Sequence, residues 1–212
     1  MLRRLSLLVP ALLAMMAAFA PVRASLVSAA DLLDAKVQYT ADFQIRTGVM
    51  GGFHGTVMHA HGRERRDFGA LGGPQILLLR RDMDEATMLW PERKWYVTTS
   101  FSQAAALVGG FDGVMLNRRP TGSETINGEP CTRYAVTGTS AMGGSFRGTM
   151  WLTRDGILMR ASGMVRFEGH ETSVETSLNH LRRVHVGAAS FARPADYTGL
   201  PIDLSKFGLK VR

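Results

Sequence analysis

Three histidines, His54, His59 and His61, come nearest to a metal-binding pattern in this chain. On a strand, His59 and His61 would share a face about 7 Å apart, a distance one ion can span. Glu64 and Asp67 follow closely, but no Asp, Glu or Cys spacing completes a ligand set. The pair therefore reads as two ordinary histidines on a solvent-facing strand, and no metal is expected. Nucleophilic catalysis has no better support. Gly143-Gly144-Ser145 is a glycine-rich turn without the strand-turn-helix setting a nucleophile elbow needs. No carboxylate pair has a revealing spacing, and the glycine pairs lack the phosphate-loop pattern. Cys131 is the only cysteine, so no internal disulfide can form, and it reads as a small buried apolar residue. Neither an enzyme nor a cofactor is expected.

What remains informative is the surface these residues sit on. In Phe146–Phe167 two strand-like runs flank Arg154-Asp155-Gly156. Asp-Gly is a hairpin signal, because both residues tolerate the positive φ of a tight turn. Before the turn, Phe146, Met150 and Leu152 alternate with Arg147, Thr149, Trp151 and Thr153. After it, Met159, Ala161, Val165 and Phe167 alternate with Leu158, Arg160, Ser162 and Arg166. Period two makes an antiparallel ribbon with one apolar face. Gly148 and Gly163 mark a bend or a close backbone approach within it.

The same period recurs along the chain. Strands are expected at Val37–Thr47, Phe53–His61, Arg63–Gly69, Gln75–Arg80, Ala86–Trp90 and Lys94–Thr99. Thr121–Ile126 and Cys131–Thr137 flank the turn pair Asn127-Gly128, and Thr172–Val184 forms a long last strand. Two segments read as helices. Ser25–Lys36 carries Leu26, Ala29, Ala30 and Leu33 at helical spacing, with Ser25 or Ser28 as cap. Ser100 with Gln103 fits a capping box ahead of Phe101, Ala104, Ala105 and Val108, and Gly109-Gly110 stops the run. Phe111–Pro120, with Val114, Met115 and Leu116, reads as an apolar loop, and Gly187–Arg212 as an irregular tail laid along the surface.

Met1–Ala24 reads as a leader rather than part of the fold. Arg3 and Arg4 precede an apolar run, and Val22-Arg23-Ala24 offers small residues for cleavage before Ser25. Cleavage leaves 188 of 212 residues, enough for one domain, and removal of Arg3, Arg4 and Arg23 lowers the formal charge from +7 to +4. No dense basic patch with interleaved aromatics occurs, so nucleic acid is not an expected partner.

Several short stretches resemble the LolA/LolB-like superfamily of periplasmic lipoprotein carriers and their uncharacterised relatives. Val37–Ile45 resembles that family's first strand after a leading helix. Leu89-Trp90-Pro91-Glu92-Arg93-Lys94-Trp95-Tyr96 resembles its hairpin of an aromatic, a proline, two residues and Lys. Ile126-Asn127-Gly128 before Cys131–Val136 is similar to its turn before a Tyr-containing strand. Met150-Trp151-Leu152 ahead of Asp155-Gly156 is similar to its paired central strands, and Phe191-Ala192-Arg193-Pro194 to its closing Phe-x-x-Pro. The likeness spans about Leu26–Tyr197. It implies a mainly β (α+β) fold: a curved, incompletely closed antiparallel half-barrel of about eleven strands whose helices cover the concave face. The expected cavity residues are Leu26, Ala30, Leu33, Phe101, Ala105, Val108, Met115, Met150 and Met159. The implied function is periplasmic, noncatalytic binding or carriage of a lipid or acylated protein, with membrane association transient at most. The alternative is an envelope interaction or sensor module that binds a protein partner and no lipid.

Overall fold

Asn127 and Gly128 adopt φ of 50° and 87°, and Ile126 pairs with Glu129 across them. That is the left-handed two-residue turn the sequence calls for, and it matches the twist of the strands it joins. The structure is a computed structural model that describes residues 25–48, 51–69, 75–101, 114–139, 144–167 and 169–201. The expected leader with its cleavage site, and the expected second helix beyond Phe101, lie outside the described residues.

Thirteen strands are described. The first, β1 (Ser25–Ser28), leads into a five-residue helix α1 (Ala29–Leu33). Six strands follow: β2 (Tyr39–Thr47), β3 (Gly51–Ala60), β4 (Arg63–Phe68), β5 (Ile76–Arg80), β6 (Glu85–Trp90) and β7 (Trp95–Ser100). Five longer strands come next: β8 (Met115–Ile126), β9 (Glu129–Thr139), β10 (Ser145–Thr153), β11 (Leu158–Phe167) and β12 (His170–Arg182). A two-residue β13 (Thr198–Gly199) closes the set. They form one curved, unclosed sheet in the order β1-β8-β9-β10-β11-β12-β2-β3-β4-β5-β6-β7-β13. All pairings are antiparallel except β13 with β7.

The eleven expected strands become thirteen because two edge strands are added. Ser25–Ser28 is not helical: it pairs with Met115–Arg118 of β8. Backbone pairing across the sheet overrides the local helical spacing, and the helix keeps only five residues. Ser28 caps it, its Oγ accepting from the Asp31 N–H at 2.9 Å. The expected loop Phe111–Pro120 is likewise corrected, since strand β8 begins at Met115. Ser100 ends β7 and Phe101 directly after it is helical, the place the expected cap would take. The tail is irregular after β12 but not merely surface-laid. It buries Val186 and Phe191 against Ala60, and Arg65 donates to the Ser190 carbonyl at 3.3 Å.

The central hairpin is wider than its Asp-Gly pair suggests. Thr153 N–H reaches the Ile157 carbonyl at 3.0 Å, Gly156 N–H reaches the Thr153 carbonyl at 3.0 Å, and Gly156 alone of the pair has positive φ, at 88°. Asp155 contributes through its side chain, which accepts from Thr153 Oγ1 and from Arg183 Nε at 2.6 Å. The Arg183 bond holds the Asp155 carboxyl below its usual range, with burial opposing. We expect Gly156→Val to lower stability by roughly 1–3 kcal/mol, because a β-branched residue resists this φ. Urea denaturation of the purified chain checks this, and an unchanged midpoint would place the strain elsewhere.

Candidate functional site

Residues opposite each other in a sheet share a face, so the register defines the surface that the alternation builds. One row runs through Ala41, Val57, Arg66, Leu77, Met88 and Val97 of β2 to β7. The next row on the same face runs through Tyr39, His59, Glu64, Leu79, Ala86 and Thr99. The face continues onto β8–β12 through Leu116, Val136, Phe146, Met150, Ala161 and Val174.

Two buried clusters occupy this face. In one, Met159 packs with Tyr39, Phe43, Val57 and Leu178. In the other, Met150 packs with Ala29 and Leu32 of α1 and with Leu116, Val136, Phe146 and Ala161. Beyond them Phe53, Leu77, Met88 and Trp90 are only half-buried, as are Ile45 and Phe68 at the margin of the first cluster.

Of the residues expected to line a cavity, Met150 and Met159 lie on this face, in different clusters. Leu26 and Met115 do not. They project from the opposite face, 67% and 42% exposed, because strand period two turns Val27 rather than Leu26 inward. Ala30 and Leu33 belong to α1. Phe101 is half-buried beneath the Arg81 guanidinium, 5.5 Å from its ring centre. Ala105 and Val108 lie outside the described residues.

The apolar face also carries charges that alternation does not reveal. Glu64 is buried and accepts from Arg66 Nε at 2.7 Å, and Arg66 in turn lies 5.2 Å over the Phe43 ring. Burial pushes the Glu64 carboxyl upward, but the Arg66 charge and His59 outweigh it and hold its pKa at about 2. Burial opposes the Arg66 charge, and Glu64 more than compensates, so the guanidinium is held above its ordinary value. Tyr39 stacks on the His59 ring with centroids 5.0 Å apart, and its hydroxyl pKa is raised by burial and then by Glu64.

His59 corrects the expectation of two solvent-facing histidines. It is wholly buried because its register partners, Tyr39 and Glu64, are on the apolar face, whereas His61 sits in the turn and is 83% exposed. His59 Nε2 donates to the Ala35 carbonyl at 3.0 Å, and its Nδ1 stands 3.7 Å from Glu64 Oε2. Asp34, which follows α1, accepts the Gly62 N–H on both oxygens at 2.9 and 3.2 Å and lies 3.0 Å from His61 Nδ1. It thus ties the end of the helix to the β3–β4 turn. No group of three or more His, Cys, Asp or Glu among the described residues has metal-binding geometry. Asp34 comes from another element, and no spacing around the histidines could have announced it.

No family model matches the chain, and no curated protein matches it in sequence. Solved structures resemble it to differing degrees. An uncharacterized conserved protein from Thermus thermophilus superposes with a TM-score of 0.53 at 13% identity, covering 81% of this chain and 95% of that one. MucB of Pseudomonas aeruginosa, solved with MucA, gives 0.47 at 13% identity, covering 82% of this chain and 62% of that one. A Vibrio parahaemolyticus domain ascribed to outer membrane lipoprotein sorting gives 0.42 at 10% identity, covering 76% and 92%. At such identities the likeness is one of fold.

Proposed function

We propose that this chain binds, without catalysis, the acyl chain of a lipid or acylated protein against the apolar face of its sheet. It works in the periplasm, after loss of Met1–Ala24. The observation that carries this reading is the row of half-buried side chains, Ile45, Phe53, Phe68, Leu77, Met88 and Trp90, continuing past the filled clusters. A sheet that had only to fold would leave fewer large apolar groups half-exposed on one face. Methionine suits a flexible guest, because its unbranched side chain adapts to irregular shapes. Helix α1 serves as part of the cover over this face. Arg66, set among these residues, offers a donor to the polar end of a bound chain.

Displacement of a fluorescent fatty acid tests the reading. Wild type is expected to take up the probe saturably, and protein purified from periplasm is expected to carry acyl chains detectable by mass spectrometry. Leu77→Asp or Met88→Asp should weaken probe uptake at least tenfold, since an unpaired charge against an apolar guest is costly. Arg147→Ala, on the opposite face, should leave uptake nearly intact. If wild type takes up no probe, the acyl-binding reading is wrong and a module that binds a protein partner becomes the better account.

A further inference from the structure

The face turned away from the apolar clusters holds a groove of about 480 Å³. Leu26 and Met115 form one wall, Thr137, Thr139 and Ser145 lie along the floor, and Met164, Arg147, Arg166 and Glu171 complete it. It crosses from β8 to β12, four strand spacings or roughly 19 Å, about the reach of a six-residue extended segment.

Two features make it more than a gap between side chains. Leu26 and Met115 are among the most exposed large apolar residues described, and they are diagonal neighbours on one face of the β1–β8 edge, Leu26 lying opposite Asn117 and Met115 opposite Ser28. Arg147 and Arg166 are diagonal neighbours on β10 and β11: Arg147 faces Met164 in the register, and Arg166 follows two residues later. Diagonal neighbours are about 7–8 Å apart, within reach of long side chains, so the two guanidiniums concentrate positive charge on one spot. Neither guanidinium forms an ion pair among the described residues, although Glu171 is directly opposite Arg166 on β12. Glu171 offsets part of the charge at Arg166 without bonding either guanidinium, whereas a carboxylate lying between the two arginines would bond both in the charge-assisted geometry arginine favours.

We infer that this groove docks an acidic, apolar segment of a partner protein, with its carboxylates on Arg147 and Arg166 and an apolar side chain against Leu26, Met115 and Met164. A recessed groove favours an inserted chain over a flat lipid surface, and its span favours a segment over a small free anion. The methionines adapt to whichever apolar group the segment brings.

The probe is an array of decapeptides carrying two glutamates and two leucines at every spacing, beside the same array with lysine for glutamate. The purified chain is expected to be retained by a subset of the glutamate peptides, less so at high salt, and not by their lysine counterparts. Arg147→Glu with Arg166→Glu should lower retention at least tenfold, and the milder Arg147→Gln with Arg166→Gln should do so with an unchanged melting temperature. Equal retention by both arrays, or undiminished retention of either double variant, overturns the proposal. So does sedimentation with phosphatidylglycerol vesicles in the absence of peptide retention, which would make the surface a membrane contact. The same double variants should take up the fatty acid probe like wild type, so failure of the docking proposal and failure of the acyl-binding reading are separable.

Discussion

Replacement of Glu64 by Gln is expected to lower stability by about 3–5 kcal/mol, the range for breaking a buried ion pair by removing one partner. Gln fills nearly the same volume, so the loss is electrostatic rather than a packing defect. Arg66 would keep its charge on the apolar face, above Phe43, with its 2.7 Å carboxylate partner gone. The effect has a pH signature. A folded carboxyl held at about 2, against an ordinary 4.5, contributes stability that is fully present above the ordinary value. That contribution is lost as pH falls from about 4.5 toward 2. Wild type should therefore lose stability across this window more steeply than Glu64→Gln, and the gap between them should shrink as Glu64 protonates. Urea titrations at pH 7, 4 and 2.5 measure it. A gap that is constant across pH, or below 1 kcal/mol at pH 7, would show that the pair contributes little.

Gly163→Val should be nearly as damaging, costing about 3 kcal/mol or more, at the upper end of overpacking. Gly163 and Gly148 face each other across β10 and β11. A Cβ on Gly163 would lie 2.5 Å from the Arg147 carbonyl oxygen and 2.8 Å from both Gly148 Cα and Phe146 Cε2. Two of these three obstacles are backbone and cannot rotate away. The ring of Phe146 lies against the space left by the two missing side chains, so the glycines give an aromatic residue its place on the sheet. Thermal melts followed by circular dichroism should show the drop. Gly169→Ala, where a Cβ would meet nothing within 4 Å, is the comparison. It should cost less, although its φ of 81° is unfavourable to alanine. If both variants melt alike, the crowding at Gly163 is not what requires glycine there.

The sheet was largely legible because its signals are local. Asn127-Gly128 dictates its own turn, and alternation along β10 and β11 names the apolar face without knowledge of any partner. What escaped was decided elsewhere in the chain. The helical spacing of Leu26, Ala29, Ala30 and Leu33 is real, yet Ser25–Ser28 becomes a strand because β8 offers it a backbone to pair with. Phe111–Pro120 reads as an apolar loop, yet from Met115 onward it is strand β8, which carries Arg118, Arg119 and Pro120. On a largely exposed strand next to the sheet edge they are tolerated, and the register shifts between Pro120 and Gly122. The polar part of the site was hidden for the same reason. His59, Glu64 and Arg66 are visible as residues, but only the register places them among Tyr39, Val57 and Leu77.

The strand order bears on how the molecule assembles. Strands β2 to β7 form one run of sequential neighbours, β8 to β12 form another, and a single junction between β12 and β2 joins them. Each run can form from short-range contacts. The junction pairs Leu178 with Phe43 and must wait for segments far apart in sequence to meet. Two half-sheets that ripen separately and fuse late leave, until fusion, two unpaired central strands that could seize a second copy of the chain. Crowded refolding should therefore favour exchanged dimers, in which β12 of one molecule completes β2 of another.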